Sequence, residues 1–334
     1  MDDRALLQRL IAGPATGDAL AAASGQTRAA VWKRIEALRE AGVAIEAKPG
    51  RGYALSQPLD LLDAAAIEAA LSAPARARLD SLDVAWSIDS TNSELLRRAT
   101  PARGAAVLLA ERQTGGRGRR GRVWASPLAA HLYLSLARAF GGGLARLGGL
   151  SLVAGIAAAQ ALHALGFAAV RLKWPNDLVA LDGDVLRKLG GLLVEGGGEY
   201  AGPARAVIGL GLNVRMPAAA AAQIDQPWCD LVMLAELAGA RPPTRDAVVA
   251  ALLDALLPAL DEFDAQGLAP FLDRYAAFDA LAGQAVGVLG SDREHRGVAL
   301  GLADDGALRV RLDDGEERRF HAGEVSVRRG GATR

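Results

Sequence analysis

An uncharged run from Leu147 to Val170 constrains most strongly how this chain can fold. A run of this length could cross a bilayer as a helix. However, it is rich in glycine and alanine and contains Ser151, Gln160 and His163. We therefore expect a buried helix over Ser151–Leu165 in the core of a large domain, and a cytoplasmic protein with no membrane-spanning part.

The totals bound the architecture and exclude some functions. A length of 334 residues favours two or three domains. The 38 basic and 38 acidic residues cancel, which argues against a nucleic-acid coat protein, so any basic patch must be local. Cys229 is the only cysteine, which excludes an intrachain disulfide and a cysteine-based metal cluster. The start, Met1-Asp-Asp-Arg, lacks the apolar segment of a secretory signal.

The first ~60 residues have the pattern of a winged helix-turn-helix. Thr16 or Asp18 can cap a short helix, Gly25 can end it, and Thr27 can cap a second, longer helix, which places the motif at about Gly17 to Glu36. The stretch "VAIEAKPGRGYAL" then reads as a hairpin with a basic tip. A three-helix module that binds another protein is the alternative.

The charges in this segment favour DNA. Residues 1–56 carry eight Lys or Arg against six Asp or Glu. Five of the basic residues fall on the second helix and the hairpin, where phosphates would lie. These candidate DNA contacts are Arg28, Lys33, Arg34, Lys48 and Arg51.

Beyond an alanine-rich, partly helical linker near Leu59–Ser81, strand-like and helical runs alternate, which predicts an α/β domain with a mixed sheet. Asp182-Gly183 is a plausible hairpin turn. The last ~50 residues form short alternating strands separated by Asp305-Gly306 and Asp314-Gly315, as in a small SH3-like barrel. The predicted domains are 1–60, 61–278 and 279–334.

The segment "TGGRGRRGR", Thr114–Arg122, packs four arginines and four glycines into nine residues. Arg-Gly repeats bind RNA when disordered, but this single copy between a strand and "VWASP" favours an ordered loop. Its glycines let backbone N–H groups approach phosphate oxygens, and its arginines supply charge-assisted hydrogen bonds. The pattern is neither a P-loop nor a dinucleotide-binding loop. The alternative without a binding function is a solvated basic turn. The spacing alone does not show whether the bound polyanion is a nucleic acid or a small phosphate-containing molecule.

The order of the motifs identifies a family. "DSTN" (Asp89–Asn92), "ERQTGGRGRRGR" (Glu111–Arg122), "KWPND" (Lys173–Asp177), "RKLGG" (Arg187–Gly191) and "GLGLN" (Gly209–Asn213) occur in this order. With the N-terminal winged helix-turn-helix, the sequence resembles the bifunctional biotin–protein ligases that also repress the biotin operon. The resemblance covers nearly the whole chain. It implies a mixed α/β (α+β) multidomain protein with a winged helix-turn-helix, a central mixed-sheet ligase domain and a C-terminal SH3-like barrel.

The resemblance implies a reaction in two halves. Biotin and ATP form biotinyl-5′-AMP, and a lysine of a biotin carboxyl carrier protein then takes the biotinyl group. Lys188, Arg119 and Asp177 are the implied catalytic residues. Mg²⁺ is expected to enter with ATP, since no paired carboxylates or histidine cluster suggests a fixed metal site. The implied residues for biotin and adenylate are Ser90, Thr91, Asn92, Gln113, Gly116, Arg117, Gly118, Arg119, Arg120, Arg122, Trp124, Lys188, Gly191, Gly209, Gly211, Asn213 and Trp228.

Some of these residues also have structural interpretations. "STN" can cap a helix, and a single tryptophan most simply packs in a core. Gly191, Gly209 and Gly211 are expected to keep the pocket floor open to the bicyclic ring. The concentration of like charge in the arginine loop predicts a loop that ligand orders. The four histidines match no motif and are expected to be structural or on the surface.

The family also binds operator DNA as an adenylate-loaded homodimer, and Trp32 is included among the expected DNA contacts. It stands where the better-known repressors are expected to have a polar residue, which leaves the operator sequence open. Two alternatives remain. A pure regulator would keep the helix-turn-helix and lose adenylation, and a lipoate–protein ligase would share the catalytic fold without these motifs.

Overall fold

The computed structural model describes residues 2–48, 50–183, 185–198, 203–289, 293–321 and 326–329. The helices of the described residues are α1 (Asp3–Ile11), α2 (Gly17–Ser24), α3 (Arg28–Glu40), α4 (Ala64–Ala70), α5 (Ala73–Arg76), α6 (Thr91–Arg97), α7 (Leu150–Ala164), α8 (Ala218–Ala221), α9 (Leu231–Leu237), α10 (Arg245–Gln266) and α11 (Leu272–Phe278). The strands are β1 (Ile45–Lys48), β2 (Gly52–Leu55), β3 (Leu79–Ala85), β4 (Ala105–Ala110), β5 (Leu132–Phe140), β6 (Val170–Lys173), β7 (Asp177–Asp182), β8 (Val185–Gly198), β9 (Ala204–Leu212), β10 (Ala285–Leu289), β11 (Glu294–Leu302), β12 (Leu308–Leu312), β13 (Glu317–Phe320) and β14 (Ser326–Arg329).

The N-terminal segment is the predicted winged helix-turn-helix. The Thr16 side chain accepts a hydrogen bond from Ala19 N and caps α2, and Thr27 caps α3 through Ala30 N. Gly25 ends α2 in the left-handed conformation, at φ 63°. β1 and β2 form the expected antiparallel hairpin, with Lys48 opposite Gly52. Pro49, at the tip of this hairpin, lies outside the described residues.

The central domain is built on a mixed sheet. Among the described residues its seven strands run in the order β3-β4-β5-β9-β8-β7-β6. β3 and β4 are parallel, and the remaining neighbours are antiparallel. Alternation divides the strands between two faces, so that Val107 and Leu109 join the main core while Leu108 packs with Leu95 of α6 on the other side.

The uncharged run forms the expected buried helix. α7 is long and apolar enough, together with the turn before it, to cross a membrane by length and composition. In the structure, however, eleven of its fifteen residues are buried, and it shares the main core with α10 and the sheet. Small residues make this close packing possible. Gly155 is one such residue, since a Cβ there would lie 3.3 Å from Leu172 Cδ2.

The region 59–81 differs from the predicted linker. Its helical part is confirmed as α4 and α5, but β3 begins at Leu79 and is the edge strand of the main sheet. The polar residues Asp80, Ser81 and Asp83 obscure the strand, because an edge strand needs to bury only part of its side chains.

The C-terminal strands form an antiparallel sheet, consistent with the expected SH3-like barrel. In the described residues the order is β13-β12-β11-β10-β14, and residues 322–325 and 330–334 of this segment lie outside them. This sheet is continuous with the main core through Val286, Leu308 and Val310. The Trp174 indole also donates a hydrogen bond of 2.9 Å to Gly306 O. The boundaries at 60 and 278 stay predictions.

The helix-turn-helix contacts the central domain beside the arginine loop. Leu128 and Ala129, just after this loop, belong to the hydrophobic cluster of the N-terminal domain. Leu128 N donates to Ala41 O at 2.8 Å, and Ala129 N donates to Glu111 O at 2.9 Å. Both ends of the arginine loop therefore lie where the two domains meet.

Candidate active site

A buried cluster of neutral polar groups lies where α6 begins. Ser90 caps α6 by accepting from Ser93 N, which places Thr91 and Asn92 against the centre of the sheet. The Gln113 Oε1 accepts from Thr91 N at 2.8 Å and from Thr91 Oγ1 at 3.1 Å. The Ser135 hydroxyl lies 2.7 Å from Thr91 Oγ1 and 2.6 Å from Asn92 Oδ1. The motif "DSTN" thus caps a helix and supplies three buried polar side chains at once.

A salt bridge continues this cluster toward the arginine loop. The Asn92 Nδ2 donates to Glu195 Oε2 at 2.9 Å. Arg117 donates to both oxygens of the same carboxylate at 3.0 Å and to Ser93 Oγ at 2.6 Å. Arg117 was expected to contact ligand, but in the structure its charge is already met by Glu195. It fastens the loop to β8.

The glycines of β9 give room to the chain's own side chains. A Cβ at Gly209 would collide with the Asn92 amide, and a Cβ at Gly211 would lie 2.6 Å from Trp124 Cε2. These residues are two apart on one strand, so Asn92 and Trp124 lie side by side on one face of the sheet. We expected an open floor for a ring. The structure shows a floor covered by Asn92 and Trp124.

The arginine loop has the geometry of a small hairpin. Its backbone is tied to the "DSTN" segment by Thr114 N to Ile88 O at 2.9 Å and Gly115 N to Asp89 O at 2.8 Å. The hairpin closes through Trp124 N to Gly116 O and Gly118 N to Arg122 O. Arg120 takes the left-handed conformation at φ 57°. Its side chain and that of Arg122 are exposed, whereas Arg119 is half-buried.

Arg119 is the cation of this loop that burial affects most. Desolvation lowers the pKa of its guanidinium, the neighbouring Arg120 lowers it further, and Asp177 opposes them. An arginine remains charged under all ordinary conditions. Among the described residues its hydrogen-bond partner is the Asn176 amide, at 3.3 Å, and it forms no salt bridge with a carboxylate. This side chain is therefore suited to receive an anion.

The second cation of the site, after Arg119, is Lys188. Its Nζ lies 2.8 Å from Asp177 Oδ1 and 5.7 Å from the centre of the Trp124 ring. Both side chains of the pair are mostly buried. Gly191 lies directly opposite Asp177 in the sheet, and a Cβ there would meet the Asp177 carboxylate and the Lys188 side chain at ordinary contact distances. Trp124 Nε1 is buried without a hydrogen-bond partner.

The chain between 213 and 229 closes over the backbone of Lys188. Lys188 N donates to Pro227 O at 2.9 Å, and Cys229 N donates to Lys188 O at 3.0 Å. Trp228 is thereby held beside Lys188, partly exposed. The Asn213 Nδ2 donates to Cys229 O at 3.1 Å and is buried. Asn213 therefore fastens this segment, and its contact with ligand stays a prediction.

The structure adds residues that no motif indicated. Ser135, Glu195, Ser93 and Ser126 contact the expected site residues, but they lie on β5, β8, α6 and the loop after Trp124. Glu195 could have been suspected, because it is a carboxylate that directly follows the apolar run 192–194 of β8. A serine in an apolar strand gives no comparable signal.

The histidines and carboxylates of the site suggest no metal centre. His131 is buried, and desolvation together with the charge of Arg245 lowers its pKa to about 3, so it is neutral. Its Nδ1 accepts from Val214 N at 3.1 Å. Within the described residues no group of three His, Cys, Asp or Glu side chains could hold a metal ion.

The expected DNA contacts form one exposed surface, with one exception. Arg28, Trp32 and Lys33 lie on the outer face of α3, and Lys48 and Arg51 lie on the hairpin. Arg34 is turned to the side of the helix, where it donates to Asp3 Oδ1 at 2.6 Å and to Gln26 Oε1 at 3.3 Å. It therefore lies apart from the other four cations.

Comparisons with known proteins agree with this arrangement. Residues 84–213 match the biotin/lipoate A/B protein ligase family, residues 3–54 match an HTH domain, and residues 282–328 match the biotin protein ligase C terminal domain. The chain is 40% identical over 315 residues to the bifunctional ligase/repressor BirA of Salmonella typhimurium, covering 94% of this chain and 93% of that protein. It is 39% identical over 313 residues to BirA of Escherichia coli, covering 94% and 92%.

The fold is shared with a solved ligase. The structure of a biotin protein ligase from Aquifex aeolicus in complex with biotin and ATP superposes with a TM-score of 0.62 at 26% identity, covering 75% of this chain and all of that one. These matches confirm the expected resemblance over all three parts of the chain. The protein belongs to the biotin/lipoate A/B protein ligase family, among the biotin protein ligases that carry an N-terminal helix-turn-helix.

Proposed function

We propose that the central domain activates biotin as biotinyl-5′-AMP and transfers the biotinyl group to one lysine of a biotin carboxyl carrier protein. The observation that carries this proposal is a buried cluster of neutral polar groups that lies beside two cations. Asn92 and Trp124 cover neighbouring positions of β9, and Lys188 lies 5.7 Å from the Trp124 ring. A polar but uncharged end and a cationic end fit a molecule with a ureido ring and a carboxylate.

The neutral end supplies hydrogen bonds for the ureido group. Hydroxyl and amide side chains complement a compact unit that both donates and accepts. Ser90, Thr91, Asn92 and Gln113 provide these groups; the last three are linked through Thr91 and Ser135, and Ser90 is held by its cap on α6. Rigid positioning of this kind lowers the entropic cost of binding. Trp124 and Trp228 provide aromatic faces for the biotin and adenine rings.

The cationic end serves the first half-reaction. A biotin carboxylate oxygen attacks the α-phosphorus of ATP, and the bond to the pyrophosphate leaving group breaks. Two anions must approach each other, and fixed cations in a partly desolvated site offset their repulsion. Lys188 is placed to reach the carboxylate–phosphate junction, and Arg119 to reach a phosphate. Gly116 and Gly118 let the backbone of the loop approach, while Arg120 and Arg122 add positive potential from the exposed side.

Asp177 serves the second half-reaction. The carrier lysine attacks the acyl carbon as a neutral amine, the bond to AMP breaks, and the nitrogen loses one proton. In the structure Asp177 is paired with Lys188 at 2.8 Å. When Lys188 turns toward phosphate oxygens, the carboxylate becomes available to orient the amine and to receive its proton.

Mg²⁺ enters this scheme with ATP. The two carboxylates of the site, Asp177 and Glu195, are each held in a salt bridge with a cation. They fit a metal that is held chiefly by phosphate oxygens and water, with Asp177 as the nearer carboxylate. Such an ion would neutralise charge on the phosphates.

We further propose that the helix-turn-helix binds operator DNA as a homodimer formed when the ligase domain holds adenylate, and that the protein works in the cytoplasm. The domain match and the basic outer face of α3 support DNA binding. Ligand-dependent dimerisation is tested by sedimentation with and without biotin and ATP. An unchanged dimer affinity would remove the proposed switch.

The enzymatic proposal is tested by incubating the protein with ATP, Mg²⁺ and either biotin or lipoate. Pyrophosphate release and the intact mass of an added carrier domain are measured. We expect biotin-dependent release and a carrier heavier by one biotinyl group. Activity with lipoate alone would indicate a lipoate–protein ligase, and no release with either acid would leave a regulator without catalysis.

A further inference from the structure

Trp32 is an unusual residue for the outer face of a helix. Val31, Ile35 and Leu38 are buried in the N-terminal core, so Trp32 points the other way, and 53% of its area is exposed. It is the only aromatic residue among the exposed large hydrophobic side chains of the described part of the chain. Leaving so much apolar surface in water forgoes stabilisation, which a binding partner can recover.

The surroundings of Trp32 are cationic. The indole lies at a groove between α3 and the hairpin, which Arg28, Lys48, Gly52 and Tyr53 also line. Arg28 pairs with Asp18, and Lys48 pairs with Glu46, but both pairs are exposed. Exposed pairs are weak, so phosphates can replace these carboxylates. The charge of this surface suits a DNA duplex.

The position of Trp32 on α3 determines which part of a DNA duplex the side chain would contact. In a helix-turn-helix, the first turns of the second helix enter the major groove and contact base edges. Trp32 follows Arg28 by one turn on the exposed face. An indole has a single hydrogen-bond donor and cannot make the bidentate contacts that distinguish guanine or adenine. What it offers is a large apolar surface, and the apolar feature of the major groove is the thymine methyl group.

We propose that Trp32 reads the 5-methyl group of a thymine in each half of the operator. This inference rests on the proposed binding of DNA by the helix-turn-helix. Arg28, Lys33, Lys48 and Arg51 contact the phosphates and set the affinity, while the indole adds sequence preference at one base pair. The operator preference of this protein is then determined in part by an apolar contact.

The test begins with selection of binding sequences from a randomised duplex library, with biotin and ATP present. Each thymine of the selected sequence is then replaced by deoxyuridine, which removes only the methyl group. We expect one position per half-site at which the wild-type protein binds about fourfold more weakly, the value for burying one methyl-sized group. The Trp32→Ala protein should bind thymine and uracil there equally well.

Arg51→Ala is the matched control, since it removes an exposed cation on the same surface. It should weaken binding to both duplexes and keep the fourfold ratio. Trp32→Phe should keep part of the difference in affinity between the thymine and uracil duplexes. Equal affinity of the wild type for thymine and uracil at every position would overturn the inference, and so would an undiminished ratio in Trp32→Ala. Failure to select any sequence would instead overturn the DNA-binding function itself.

Discussion

The chain contains two loops rich in glycine and basic residues, the segment 114–122 in the ligase domain and the hairpin tip 48–52 in the helix-turn-helix. In the first loop, Arg117 pairs with Glu195, and only 31% and 28% of the two side chains are exposed. In the second, Lys48 pairs with Glu46, and 56% and 49% are exposed. The two loops contain similar residue types, but water has less access to the ion pair of the first loop than to that of the second.

This difference separates two ways of binding phosphate. A partly buried cation attracts an anion strongly, because little water screens the interaction, and its position is held by neighbouring groups. This suits one small ligand that must be oriented for reaction. Exposed cations contribute through release of counterions along a polyanion, and they need little orientation. The four predictions below test this contrast.

The largest effect is expected at the partly buried cation of the ligase site. Lys188→Ala should reduce adenylate formation by about 10²–10³-fold, because a fixed positive charge at the reacting phosphate is lost. Pyrophosphate release under single-turnover conditions measures this step. Lys173→Ala removes a lysine from the neighbouring "KWPND" motif, and adenylate formation should change little. Comparable losses in both variants would contradict the assignment of Lys188.

The salt bridges of the two loops should differ in strength. Glu195→Gln leaves Arg117 without its carboxylate and should lower the free energy of unfolding by about 1–2 kcal/mol, allowing for the partial exposure of the pair. Glu46→Gln should change the free energy of unfolding less, because the Lys48–Glu46 pair is exposed and exposed pairs are weak. Urea denaturation of both variants at low and high salt checks the comparison. Equal losses of unfolding free energy in the two variants would show that burial does not make the first salt bridge stronger than the second.

Acid should destabilise the ligase domain through His131. Its pKa of about 3 in the folded protein lies below the unfolded value of about 6.5. The unfolded state therefore binds the proton first, and the stability present above pH 6.5 is lost as the pH falls toward 3. Between pH 7.5 and 5.5 the loss should be about 1 kcal/mol.

His131→Asn isolates this contribution, because its amide oxygen can still accept from Val214 N. The variant should be less stable at pH 7.5 and should lose less stability on acidification. Residues 1–60 contain no histidine. Between pH 7.5 and 5.5 we therefore expect no comparable loss of stability from histidine protonation in the helix-turn-helix. Parallel pH profiles of wild type and variant would contradict the assigned role of His131.

The smallest effect is expected at the hairpin tip. Arg51→Ala should weaken DNA binding several-fold and reduce the slope of log K against log salt concentration by about 1 for each bound protomer. Adenylate formation by the same variant should be unchanged. DNA titrations at four salt concentrations measure the slope. An unchanged slope would mean that Arg51 makes no phosphate contact.

Much of the fold could be predicted because its signals are local. Thr16, Thr27 and Ser90 cap helices as their positions in the sequence indicate, and Gly25 ends α2. The uncharged run forms a core helix because its small residues permit close packing. β3 was not predicted, since its polar residues conceal a strand that only its parallel pairing with β4 reveals.

The site could be predicted as a set of motifs but not as a set of contacts. The motifs indicated Lys188, Arg119 and the "DSTN" segment, and the structure links the two cations to the "KWPND" motif through Lys188–Asp177 and Arg119–Asn176. The motifs did not indicate that Asn92 and Trp124 cover the glycines of β9, or that the Asn213 amide donates a hydrogen bond to Cys229 O. Such contacts depend on side-chain volume and on hydrogen bonding across strands, which motif spacing does not encode.

The sequence by itself determined the order of three folded parts, the capped helices, and the family to which the arginine loop belongs. These follow from residue types that act over a few positions. Only the tertiary structure decided which cations face solvent. Arg117 is neutralised by Glu195, 78 positions away, and Arg34 is turned to Asp3, 31 positions away. The reason is physical, since folding brings together charges that are distant in the chain and excludes the water between them.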